Sequence, residues 1–256
     1  MIAPETTVGA VHLTVSDLAR SRAYYRDAIG LEELGDGVFG VDGTDLLHLV
    51  EEPGATPSTG YSGLFHFALL VPERADLAAW LRHAIEDGVQ LTGASDHFVS
   101  EALYLRDPDH HGIEIYADRP REVWADDPSR IGSWPLDTDD LLGAGSGAAT
   151  ALPAGTRMGH VHLSVSDVDD TIGFYRDQVG FDLIAQLGDQ AAFLSAGGYH
   201  HHLGANTWES RGAGPAPEGT ARLLHYTLLT TQAEIDRLGP QLVDPSGNRA
   251  VLSPLG

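Results

Sequence analysis

Thirteen histidines stand in this 256-residue chain beside fifteen Lys and Arg together, and there is no cysteine. Disulfides, thiolate zinc sites, iron–sulfur clusters and cysteine nucleophiles are thereby excluded, so metal chemistry must use nitrogen and oxygen donors. Such donors fall on strand-like segments at His66 in Leu64-Phe-His-Phe-Ala-Leu-Leu-Val71, at Glu114 in Ile113-Glu-Ile-Tyr116, and at His160 in Gly159-His-Val-His162. A run of three, His200-His-His202, lies between Gly197-Gly198 and Leu203. A lone strand histidine is ordinarily a half-buried, hydrogen-bonded residue, and that is the default for His12, His48, His162 and His225. Glu114 on an edge strand would be a solvated carboxylate, and Tyr104 would fill an apolar sheet face. The triple run would be a surface tract with adventitious metal affinity; its flanking glycines and Leu203 favour an inward-facing strand instead. Neither a phosphate-cradling glycine loop nor a nucleophile elbow is present.

The elements that must position these groups come from an internal repeat. Val11-His-Leu-Thr-Val-Ser-Asp17 matches Val161-His-Leu-Ser-Val-Ser-Asp167, and the match runs on through Tyr25-Arg-Asp27 and Tyr175-Arg-Asp177 to Gly30 and Gly180, at a constant offset of 150. Each copy reads as an alternating strand, a Ser16 or Ser166 helix N-cap, a helix of about three turns and a glycine C-cap. Strands follow at 38–41 and 45–50 in the first copy, and at 191–195 and 199–204 in the second. A second kind of unit has a strand at 64–71, an amphipathic helix at 75–86 ending near Gly88, and strands at 102–104 and 113–116 around the turn Asp107-Pro-Asp109. Its shortened relative starts at Leu223-Leu-His225 and ends at Asp244-Pro-Ser-Gly247. The expectation is an α+β fold of four tandem βαβββ modules, near 8–50, 61–118, 158–204 and 222–254, forming concave, barrel-like mixed sheets with helices outside. The domains are then 1–118 and 158–256, with 119–157 as linker and Gly143-Ala-Gly-Ser-Gly147 its flexible tail.

Four such modules with these residues resemble the vicinal oxygen chelate superfamily of glyoxalases, bleomycin-resistance proteins and extradiol dioxygenases. Within it they resemble the two-domain catechol-2,3-dioxygenase type. The most specific element is the order His97, five residues, Leu103-Tyr104, two residues, Asp107-Pro108, then Glu114. It departs from the family at His110, where Gly or Pro is usual. Gly159-His-Val-His162 resembles the strand of the family's first metal histidine, and Gly198 to Gly204 the strand of its catalytic histidine. The resemblance implies a facial triad of two His and one carboxylate on Fe(II), with Mn(II) as the alternative, leaving adjacent positions for a bidentate catecholate and O₂.

Pairing the modules in chain order, 1 with 2 and 3 with 4, leaves each pair one ligand short. Ala10 stands where His160 would be, and Val251 near where Glu114 would be. Pairing module 2 with module 3 completes the set His66, Glu114 and His160, so the metal site is expected across the two halves. By resemblance, His201 is the general acid/base, with His200 or His202 as alternatives one step away; Tyr104 hydrogen-bonds the substrate oxygen and His97 supports the bound substrate. His48 and His225 would face a vestigial second cup.

With 15 Lys+Arg against 37 Asp+Glu, the formal charge is −22, which disfavours phosphate backbones and anionic membranes. No nucleic-acid or membrane partner is therefore expected. The N-terminal residues lack a basic and apolar leader, so the default location is cytoplasmic, with a homodimer the common state for such sheets. The expected function is extradiol cleavage of a catechol by O₂ in aromatic hydrocarbon catabolism. A glyoxalase-like isomerase would need two carboxylates where one candidate is visible; a non-catalytic binder of aromatic ligands would need neither Glu114 nor the His run.

Overall fold

The computed structural model describes residues 1–127 and 130–256. Among them, two curled mixed sheets are built, each from modules of both halves. In the seven-stranded sheet, modules 1 and 4 meet where Thr7–Val15 runs antiparallel to Leu223–Thr230; in the nine-stranded sheet, modules 2 and 3 meet where Gly63–Leu70 runs antiparallel to Arg157–Ser164. Parallel partners flank both seams: Thr44–Glu51 and Arg249–Pro254 in the first, Gly112–Asp118 and Leu203–Asn206 in the second.

Alternation explains what each face carries. Val11, Leu13, Phe67, Leu69, Val161 and Leu163 are fully buried and join one core, while the intervening histidines turn to the opposite faces. Burying a side chain such as Phe67 contributes about 2–3 kcal/mol. Trp80, on the helix Arg74–Glu86, completes this core and donates its indole N–H to Ile29 O at 3.0 Å.

Three local readings are corrected. Asp17 and Asp167, not Ser16 and Ser166, cap the module helices, accepting from Arg20 N and Asp170 N. A carboxylate does this well and leaves the serines to tie modules together: Ser16 donates to Asp109, and Ser166 N–H to Ser246 Oγ. Each helix is short, Leu18–Tyr24 or Val168–Ile172, and widens into a π-helical segment before Gly30 or Gly180, both left-handed. The widened turn seats Tyr25 against Asp107 (2.8 Å) and Tyr175 against Tyr226 (2.8 Å). Thirdly, 199–202 is not strand: the strand is Leu203–Asn206, and the His run occupies the loop before it, turned by Gly197 and Gly198 at φ 61° and 69°.

Module 4 keeps only Gln241–Val243 and Arg249–Pro254 after its helix, Gln232–Leu238. The segment taken as linker holds the helices Arg121–Trp124 and Thr138–Gly143 and the strand Trp134–Pro135; residues 128 and 129 of it lie outside the described residues. The turn at Gly143 to Gly147 is held by the Arg82 guanidinium, which bonds Leu142 O and Gly145 O. No helix among the described residues is long and apolar enough to cross a membrane.

Candidate metal centre and cavity

Register places the donors. Tyr104 lies opposite Glu114, Glu114 beside Ala68, and Ala68 opposite His160, so four neighbouring strands contribute one transverse row. Ala68 is the small residue in that row, and its methyl leaves room between Glu114 and His160. His66, two residues before Ala68 on the same face, closes the ring. Glu114 Oε2 lies 2.9 Å from His66 Nε2 and 3.2 Å from His160 Nε2, and the two Nε2 atoms are 3.3 Å apart. All three residues are buried. Gly159 makes room for the Tyr116 ring beside this row: a Cβ there would fall 1.9 Å from the Tyr116 hydroxyl.

Burial alone would push the Glu114 carboxyl up; His160, then His66, overcome that and hold it well below the usual carboxylate range. Burial lowers His160, against the opposing pull of Glu114, and drives His162 and His201 further down, helped by neighbouring imidazoles. Neutral imidazoles with free lone pairs and one ionised carboxylate are what a divalent cation requires. A buried carboxylate that pairs with no Arg or Lys among the described residues is also short of a cation. The residues fit a metal.

Above this floor opens a cavity of about 420 Å³ walled by Phe65, Ile113, Leu187, Phe193 and Trp208. His97, Tyr104 and His201 line it with the triad. His97 Nδ1 donates to Gly132 O at 2.5 Å, which leaves Nε2 to accept the Tyr104 hydroxyl at 2.6 Å. Burial, with Glu114 adding to it, raises the Tyr104 phenol well above its ordinary value, so it stays a donor. Of the run, His201 alone lines the cavity, its ring 4.1 Å from that of His160. His200 bonds Asp118, and His202 Nδ1 accepts the Ala196 N–H at 3.2 Å.

The structure thus brings together six positions that the sequence singles out: His66, Glu114, His160, His97, Tyr104 and His201. It adds His162, opposite His66 in register and part of the cavity wall, where a structural role alone was expected. The signal was in the sequence, because two residues along a strand return to the same face. Trp208 and Gly132 belong to loops and left no such signal. His12, His48 and His225 stack on the other sheet at 4.1 and 3.9 Å; their nitrogens do not converge with a carboxylate as the triad does.

The sequence is 42% identical over 247 residues to a catechol-2,3-dioxygenase of Bacillus subtilis (strain 168), covering 91% of this chain and 86% of that protein. The fold superposes on a crystal structure from Bacillus subtilis subsp. subtilis str. 168 with a TM-score of 0.63, at 16% identity, covering 97% of this chain and 85% of the other. It superposes on glyoxalase I from Zea mays with a TM-score of 0.57, at 17% identity, covering 97% and 92%. Residues 7–115 and 157–238 match the pattern of the Glyoxalase/Bleomycin resistance protein/Dioxygenase superfamily. The chain belongs to that superfamily.

Proposed function

We propose that the protein is an extradiol dioxygenase that cleaves a catechol with O₂, using one Fe(II), or Mn(II) as the alternative, held by His66, Glu114 and His160. The observation that carries this is a buried His–Glu–His set at the floor of a largely apolar cavity of about 420 Å³, in a chain 42% identical to a protein named for that reaction. Both oxygen atoms of O₂ enter the product as one ring carbon–carbon bond breaks, so no outside reductant is needed.

When bound, the metal would supply Lewis acidity and open adjacent positions for the catechol oxygens and O₂. The chain's own residues do the rest. His201 takes the proton of a catechol hydroxyl and returns it later to the reacting oxygen. Tyr104, donating to His97 Nε2 at rest, can turn its hydroxyl to an oxygen arriving beside Glu114. Phe65, Phe193 and Trp208 exclude water and hold the ring by its faces and edges. Arg106 is the one guanidinium lining the cavity among the described residues, and it is engaged with His110 O at 2.9 Å. We therefore assign the substrate as a catechol carrying neutral, apolar substituents.

A glyoxalase-like isomerase would need a second carboxylate at the metal, and among the described residues the cluster holds Glu114 alone. Anaerobic loading with Fe(II), then catechol and air, should give a yellow ring-cleavage product; no colour across substituted catechols despite bound iron would overturn the reading.

A further inference from the structure

We propose that Asp118 and His200 are positioning residues that hold the His201 ring with its proton on Nδ1 and its Nε2 lone pair free for the substrate hydroxyl. The acid/base would then be the end of a carboxylate–histidine–histidine column. The catalytic part of this rests on the dioxygenase reading; the placement of the proton does not.

The hydrogen bonds fix the direction from one end. Asp118, the last residue of the strand Gly112–Asp118 that also carries Glu114, brings Oδ1 within 2.8 Å of His200 Nε2. A carboxylate only accepts, so His200 Nε2 donates; with that single hydrogen on its ring, His200 offers a lone pair at Nδ1. That Nδ1 is 2.8 Å from His201 Nδ1. Two lone pairs cannot share such a contact, so His201 Nδ1 carries the hydrogen, and Nε2 is left as the acceptor on a ring that lines the cavity.

The column cannot turn over easily. His200 is fully buried, with the rings of Tyr199 at 4.0 Å, Trp124 at 5.4 Å and Tyr116 at 6.3 Å. Tyr199 also donates to Asp118 Oδ1 at 3.2 Å and shares a 2.8 Å bond with Tyr116. Three consecutive histidines therefore do three different things. His202 accepts a backbone N–H, His200 transmits an orientation, and His201 meets the cavity.

The test reads the tautomer directly. In full-length protein labelled with ¹⁵N-histidine, long-range ¹H–¹⁵N spectra, with H201F identifying the signals, should show His201 as the Nδ1–H form. In D118N the amide can donate to His200, which reverses the column and moves the proton of His201 to Nε2; D118E, which keeps a carboxylate, retains the original form. In the iron-loaded enzyme, D118N should lower kcat about tenfold or more, the size typical of a lost orienting partner, with KM and iron content unchanged and D118E recovering most of the rate. An Nε2–H His201 in the parent protein, or an unchanged tautomer in D118N, overturns the proposal. Should D118N fail to fold, the parent tautomer decides by itself. A parent with the expected tautomer and no ring cleavage defeats the dioxygenase reading and leaves the column standing.

Discussion

His66 and His160 come from opposite halves of the chain, yet their Nε2 atoms lie 3.3 Å apart on antiparallel neighbouring strands, both within reach of Glu114 Oε2. Neither half holds the complete set. The His–Glu–His cluster is therefore inseparable from the seam between Gly63–Leu70 and Arg157–Ser164.

Tyr104 offers the first test. Its hydroxyl lies between His97 and Glu114, and Y104F removes that hydroxyl while keeping the ring against Ala68 and Tyr116. Steady-state kinetics should show kcat reduced about 10- to 100-fold with iron retained. An undiminished kcat would reduce Tyr104 to a packing residue.

Substrate choice follows from the walls. An unpaired carboxylate placed against Phe65, Phe193 and Trp208 loses its hydration with no partner in return. Alkyl- or aryl-substituted catechols should exceed carboxylated ones in kcat/KM by at least about tenfold, equivalent to 1.4 kcal/mol. A preference for carboxylated catechols would mean that Arg106 leaves His110 to receive them.

Stability should depend on the tie between the module 1 helix and the module 2 turn. The Tyr25 hydroxyl donates to Asp107 Oδ2 at 2.8 Å, and both residues are buried. Y25F strips the carboxylate of that donor at a cost of about 1–3 kcal/mol; each kcal/mol lowers Tm by roughly 2–4 °C in a chain of this size. A thermal melt indistinguishable from the parent's would show that the Asp107 turn does not need it.

The histidine stack on the other sheet predicts a pH effect. Burial, then His225 and His48, bring His12 from 6.5 down to about 4, with Asp45 opposing; Arg249 repels a proton on the His225 side. With the folded value depressed, the unfolded chain takes the proton first as pH falls. The contribution is complete above about pH 6.5 and is lost towards pH 4. H12F keeps a ring in the stack without the proton, so its Tm should fall less than the parent's between about pH 7 and pH 4.5. Equal falls would remove His12 from the acid response.

Much of this was legible because periodicity and repetition are written locally. The offset of 150 identified equivalent strands, and the missing ligand in each chain-order pair pointed to a site shared by modules 2 and 3. Residue spacing singled out His66, His97, Tyr104 and Glu114, which the fold gathers around one cavity. The His run was assigned to a strand on its flanking glycines and Leu203, whereas the left-handed Gly197 and Gly198 keep the chain in a loop until Leu203. Alternation therefore could not separate His201 from its neighbours; in the fold His201 lines the cavity, while His200 bonds Asp118 and His202 bonds Ala196. The left-handed His110 (φ 71°) shows the same limit, since the Asp107 carboxylate, accepting the N–H groups of Asp109 and His111, holds a turn for which glycine is the easier residue.

Whether one metal is held across the two halves is decided by metal stoichiometry. Full-length protein and its variants, loaded anaerobically with Fe(II), desalted and assayed for iron, should show about one iron per chain in the parent and in H225A, and none retained in H66A, E114A or H160A, each of which leaves two of three ligands. Full iron content in a folded H160A protein, or its loss in H225A alone, would place the metal away from the seam between the halves.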